Sequence, residues 1–234
     1  MPDINTLVKE LTLEEKISLL TGFNSWYSNK IPRLKIPSMK MSDGPNGVRG
    51  DSTSGKSSAC FPCPISMGST WNKKLIKKIG TALGEEALDK DVDVLLGPTI
   101  NLHRHPLGGR HFENFSEDPF LTAEIAVAYV KGVQSKKVSA CLKHFVANDT
   151  EFERHTVSSN LDERTLREVY LLPFEMGIKK AKAKSVMSAY NKLNNIYCSS
   201  NEDLLVKVLK KEWGFDGYVV SDWGAALELS LIHI

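Results

Sequence analysis

What this sequence lacks narrows its reading first. No apolar run approaches the length of a membrane-spanning helix, so no membrane partner is expected. Neither sign of charge dominates: 30 Lys and Arg stand against 28 Asp and Glu, a net of +2. No strong field therefore argues for nucleic acid. Cysteine is scarce, with Cys60, Cys63, Cys141 and Cys198 only. The lone C-x-x-C has no second pair for zinc. Pro62 and Pro64 interrupt it where a redox pair should open a helix, so the thiols read as structural. The start, Met1 to Lys9, is polar and lacks the apolar stretch of a signal peptide, which makes the cytoplasm the expected location.

What is present is ordinary for a globular domain: 234 residues, 41% hydrophobic and 25% charged, long enough to bury a sizeable core. Short apolar runs alternate with longer amphipathic ones. Thr12, with Glu15 three residues on, predicts a capping box. Met39–Ser42 reads as a short strand, and Ile65 lies in another. Trp71–Leu88 predicts a helix. Val92–Leu96 is a β-branched run ended by Gly97-Pro98, hence a buried strand. Asp118 and Pro119 predict a helix start running to Gln134. Val138–Leu142, Val186–Ala189 and Tyr218–Val220 read as further strands. Asp162–Ala183 and Glu202–Lys211 read as helices.

Alternating β and α elements imply a parallel sheet. An open doubly wound sheet competes with a (β/α)8 barrel of the TIM type. A GxGxxG after the first strand would favour the open sheet, and none is there. About six strands are legible where a closed barrel needs eight, so the expectation is an α/β barrel truncated before closure. In a barrel, chemistry sits on the loops after the strands. Asp43, Lys143-His144, Tyr190 and Asp222 each follow an apolar run directly.

One motif points elsewhere. Gly50–Ser57 matches the phosphate-loop pattern G-x-x-x-x-G-K-[ST]. That loop must leave a strand and open a helix. Here turn residues precede it and Ala59-Cys60-Phe61-Pro62-Cys63-Pro64 follows it, so a nucleotide hydrolase is rejected. His103 and His105, with His111 nearby, lie among arginines that repel a cation, so no metal is expected.

Taken together, the residues after the strands supply carboxylates, cations, a histidine, a tyrosine and neighbouring aromatics. Such groups suit a sugar: charged side chains bind hydroxyls directionally, and a carboxylate can attack an anomeric carbon. Taken singly, each has a plainer reading. Asp222 is a typical turn cap, His144 a satisfied core histidine, and Met187, Tyr190 and Trp223 core packing.

The joint pattern resembles glycoside hydrolase family 3 over nearly the whole chain. The resemblance rests on Ser42-Asp43-Gly44-Pro45, Pro106-Leu107-Gly108-Gly109-Arg110, Lys143-His144-Phe145, Met187-Ser188-Ala189-Tyr190 and Val220-Ser221-Asp222-Trp223, in that order. His111 departs from it, where the family more often has Asn. The resemblance implies a retaining, exo-acting β-glucosidase with no cofactor. Its substrate would be a β-glucoside or short β-linked oligosaccharide. Asp222 would be the nucleophile, its pKa lowered by Lys143 or Arg110. Asp43, Arg110, Lys143 and His144 would hold sugar hydroxyls. Tyr190 would orient the nucleophile, Met187 would line the pocket, and Trp223 would flank the leaving group. The acid/base would come from a second domain, leaving this chain inactive alone. A β-xylosidase of the same family and a non-catalytic sugar-binding barrel are the alternatives. The last six residues, Leu229–Ile234, match the in-frame translation of a transposon-end adapter. Residues 1–228 are therefore expected to form an incomplete barrel domain, and 229–234 a non-native read-through tail.

Overall fold

The structure, a computed structural model, describes residues 3–50 and 56–226. The tail at 229–234 and the centre of the Gly50–Ser57 motif lie outside those residues. Asp3 caps α1 (Ile4–Glu10), accepting from the Thr6 N–H. The predicted capping box is present at α2 (Leu13–Leu19): Thr12 accepts from the Glu15 N–H while Glu15 accepts from the Thr12 N–H. An irregular segment then leads to β1 (Met41–Asp43).

Residues 56–63 carry no helix, so the phosphate-loop motif lacks the element it requires. Ile65 falls in α3 (Pro64–Ser69), not in a strand. Pro64 sits at the first helical position, where its missing N–H costs nothing and its fixed φ suits the turn. Next come α4 (Lys73–Asp89), β2 (Val94–Leu96), α5 (Pro119–Gln134) and β3 (Ser139–Phe145). Asp118 caps α5 as its sequence predicts, accepting from the Leu121 N–H at 2.6 Å.

After β4 (Ser158–Ser159), the expected single helix over 162–183 is divided into α6 (Glu163–Thr165), a wider π-type turn (Leu166–Tyr170) and α7 (Leu172–Ala181). Pro173 explains the division: it cannot donate to the preceding turn, and the chain widens so that the Leu171 N–H reaches the Leu166 carbonyl at 2.8 Å. The chain closes with β5 (Ser185–Ser188), the hairpin of β6 (Lys192–Leu193) and β7 (Ile196–Tyr197), a π-type helix at Asp203–Glu212, and β8 (Tyr218–Ser221).

Five strands form one parallel sheet in the order β1-β2-β3-β5-β8, each new strand added beside the last. This is a curled half-barrel with helices outside it, and among the described residues it does not close. All of β2 and nearly all of β3 are buried, as expected of strands covered on both faces. Helices α4 and α5 approach almost backbone to backbone. A Cβ on Gly80 would lie 2.5 Å from the Tyr129 carbonyl oxygen, and one on Gly132 would lie 2.4 Å from that of Lys77. Tyr129, fully buried, donates its hydroxyl to the Pro45 carbonyl at 2.9 Å and so ties α5 to the loop after β1. Phe145 packs against Phe174 and Trp213 with ring centroids 5.0 and 6.0 Å apart. None of the described helices is long and apolar enough to cross a membrane.

Candidate active site

The parallel ladder delivers the predicted residues to one end of the sheet. Asp43 is the last residue of β1, and its carbonyl accepts the Arg49 N–H at 3.0 Å, closing the loop behind it. Lys143 and His144 lie near the end of β3, joined by a cis peptide. Met187 lies in β5, and Tyr190 follows it. The Asp222 N–H bonds the Ser188 carbonyl at 3.1 Å, carrying the β5–β8 ladder one residue past β8. Arg110 comes from the long loop after β2, where its Nε donates to Glu113. Glu113 is buried and also accepts from Thr99 at 3.1 Å, which makes it a support for Arg110.

The Lys143 ammonium donates to Asp43 at 3.0 Å, and Arg49 lies 3.7 Å from the other carboxylate oxygen. Burial pushes the Asp43 pKa up, but these two cations outweigh it, and the net shift is downward. Asp222 moves the other way. Burial raises its pKa above the ordinary Asp range, against the smaller opposing pulls of the Trp223 N–H, Lys143, Tyr190 and Arg110. The expectation that Lys143 or Arg110 would lower it is therefore corrected. Lys143 is committed to Asp43, and Arg110 to Glu113 and Glu151, so their pulls fall short of the desolvation at Asp222.

One oxygen of Asp222 accepts the Trp223 N–H at 2.8 Å, the turn-capping role open to any Asp. The other lies 3.6 Å from His144 Nε2. His144 is buried, and desolvation with Arg110, Lys143 and Arg154 nearby drives its pKa well below the usual value. The ring is neutral there at physiological pH. Tyr190 donates its hydroxyl to the Trp223 carbonyl at 2.7 Å. Burial and the charge of Asp222 push that phenol up to about 12.

All eight predicted residues, Asp43, Arg110, Lys143, His144, Met187, Tyr190, Asp222 and Trp223, line one cavity of about 400 Å³. Four others line it that the sequence reading missed: Ser25, Trp26, Leu96 and Arg154. Trp26 stands beside Trp223 with ring centroids 5.6 Å apart, and the Trp223 indole N–H donates to the Ser25 carbonyl at 3.1 Å. Arg154 lies over the Tyr190 ring at 4.7 Å and pairs with Glu151 at 3.0 Å. Outside the cavity, the His103 ring donates to the His111 and Asn114 carbonyls at 2.9 and 3.1 Å, and His111 bonds the His105 carbonyl. These histidines tie the loop together. Among the described residues, no three His, Cys, Asp or Glu side chains converge as metal ligands do.

Such a cavity has relatives. Residues 10–233 match the model of the glycosyl hydrolase family 3 N-terminal domain. A Rhizobium radiobacter protein named beta-glucosidase is 56% identical over 222 residues, which cover 94% of this chain and 27% of that protein. Thermostable beta-glucosidase B of Acetivibrio thermocellus is 49% identical over 95% of this chain and 31% of its own length. Beta-glucosidase 3B of Thermotoga neapolitana, solved in complex with glucose, superposes with a TM-score of 0.89 at 46% identity, over 94% of this chain and 33% of that one. The Kluyveromyces marxianus beta-glucosidase, also solved with glucose, gives 0.93 at 44% identity, over 95% and 27%. The chain thus spans less than a third of the length of these curated relatives. Cavity, sheet and sequence agree: the chain belongs to glycosyl hydrolase family 3.

Proposed function

We propose that the protein is a retaining, exo-acting β-glucosidase that removes terminal non-reducing glucosyl residues through a glycosyl ester on Asp222. The observation that carries this reading is the convergence of five post-strand segments on one cavity, with Asp222 at its wall. Asp43, Lys143, Arg110 and His144 hold the hydroxyls of the terminal sugar. Met187 supplies an apolar wall. Tyr190 steadies the turn that presents Asp222, and Trp223 flanks the leaving group. The substrate is a β-glucoside or a short β-linked oligosaccharide.

In the first step an Asp222 oxygen attacks C1 as the bond to the leaving oxygen breaks. A general acid protonates that oxygen. Water then cleaves the ester with the same group acting as base. The acid must keep its proton near neutral pH and stand about 5–5.5 Å from the nucleophile. Of the described residues lining the cavity, only Asp43 and Asp222 are carboxylic. Asp43 is held ionised by Lys143 and Arg49, which unfits it as a proton donor. The family resemblance implies an acid/base from a second domain beyond this chain, which would leave the chain alone unable to turn over substrate.

A 2-deoxy-2-fluoro glucoside tests the reading. With the full-length enzyme it should leave a stable ester on the peptide carrying Asp222, and Asp222→Asn should abolish the label. Label on any other carboxylate, or hydrolysis with inversion, defeats the proposal. Ready turnover of an aryl β-glucoside by the 234-residue chain alone would defeat the acid/base part.

A further inference from the structure

Asn101 is not among the residues lining the cavity, yet it holds His144 through three contacts. The strand β2 continues past the turn at Gly97-Pro98, where Thr99 pairs in parallel with Lys143 and the Ile100 N–H bonds the Lys143 carbonyl at 2.8 Å. This extension sets Asn101 directly against His144. The Asn101 amide nitrogen donates to the His144 carbonyl at 2.8 Å. Its amide oxygen accepts the His144 backbone N–H at 2.9 Å. The same oxygen lies 3.2 Å from ring Nδ1. Both residues are buried, at 3% and 2% exposure.

The backbone contacts settle which way the amide points. Flipped, it would set N–H against N–H and oxygen against oxygen. The atom facing Nδ1 is therefore an oxygen, which can only accept, so Nδ1 carries the proton. The opposite side of the ring agrees. Arg110 Nη2 lies 3.3 Å from Nε2. A guanidinium only donates, so Nε2 must present its lone pair. Arg110 is itself held by Glu113 at Nε and by Glu151, 3.8 Å from Nη1, which leaves Nη2 turned to the histidine.

We infer that Asn101 is a positioning residue that locks His144 in its Nδ1–H form, so that the single lone pair of Nε2 accepts from Arg110 and holds that guanidinium at the cavity wall. The use of Arg110 on a sugar hydroxyl rests on the glycoside reading; the tautomer does not.

Nitrogen-15 NMR of the full-length protein, labelled only at histidine, tests this, with the His144 signals assigned through His144→Gln. The expected pattern at His144 is a proton-bearing Nδ1 and a bare Nε2. Asn101→Ala leaves Arg110 alone to bias the ring and should admit a detectable Nε2–H fraction, lowering kcat/KM on the order of tenfold. Asn101→Asp keeps the accepting oxygen and should keep the Nδ1–H pattern. A proton on Nε2 in the parent protein overturns the inference, and so does an unchanged tautomer in Asn101→Ala. If Asn101→Ala does not fold, Asn101→Asp decides: a proton on Nε2 there also overturns it. The readout needs no turnover. An inactive enzyme with the expected tautomer would sink the glycosidase reading and leave the lock standing.

Discussion

Asp43 and Asp222 sit at opposite edges of the same sheet, each at the end of a parallel strand and each facing the same cavity. Their pKa values move in opposite directions. Asp43 touches an ammonium at 3.0 Å with a guanidinium at 3.7 Å. Among the described residues no Lys or Arg pairs with Asp222, and one of its oxygens lies 3.6 Å from a neutral imidazole. Burial acts on both; contact with a cation acts on one. The difference separates a carboxylate whose charge is favoured, as its proposed grip on hydroxyls needs, from one whose charge is poorly stabilised, as the proposed attack needs.

The largest test of that contrast removes the attacking group. Asp222→Asn in the full-length enzyme should lower kcat by at least about 1,000-fold. Retained activity in steady-state assays would show that the wrong carboxylate has been singled out. Next, Lys143→Met strips Asp43 of its contact cation. Breaking a fully buried pair costs about 3–5 kcal/mol, and because Asp43 keeps 35% exposure the expected loss is nearer ~2 kcal/mol by denaturant titration. The sign with pH follows from the lowered pKa. The stabilisation is present above the unfolded Asp value and is lost as pH falls through the folded one, so the variant should lack that acid-sensitive part.

The acid limb of kcat/KM provides a third test. Because the pKa of Asp222 is raised, its carboxylate is protonated and unable to attack at pH values where an ordinary Asp is still charged. The limb should lie above the usual carboxylate range, and Arg110→Gln, which removes a pull on Asp222, should move it higher still. A smaller effect reverses the usual direction of a site mutation. A raised folded pKa contributes stability only below the unfolded value, and this is lost as pH rises through the folded one. Asp222→Asn should thus stabilise the fold at neutral pH, with the gain vanishing as pH falls through the unfolded Asp value. The smallest effect is expected of Trp26→Ala, which removes the ring beside Trp223. It should raise KM by a few fold with little change in kcat, in line with about 0.5–1.5 kcal/mol for an aromatic pair.

Most of the sheet was legible because each strand announces itself locally. Val92–Leu96 ends at Gly97-Pro98, and each later strand hands over to a polar residue that faces the cavity. Asp118 and Thr12 cap the helices their sequences predict. What escaped was set by distant contacts. Ile65 looked like a strand because its helix begins at a proline amid irregular chain. Trp26 and Arg154 carry no strand-end signature and reach the cavity from the segment before β1 and from the loop after β3. The direction of the Asp222 shift was misjudged because nearby cations were counted without asking which carboxylates they already served. Asn101 follows β2 with no signature of its own, and only coordinates reveal which way its amide faces.

The order of the sheet also has a temporal side. Strands β1, β2, β3, β5 and β8 lie side by side in the order in which they leave the ribosome. Each nascent strand finds its neighbour already made, and the growing margin is always the newest one. At ordinary elongation rates Asp222 emerges roughly 10–40 s after Asp43. For that interval the residues proposed to grip the sugar are in place without the proposed nucleophile.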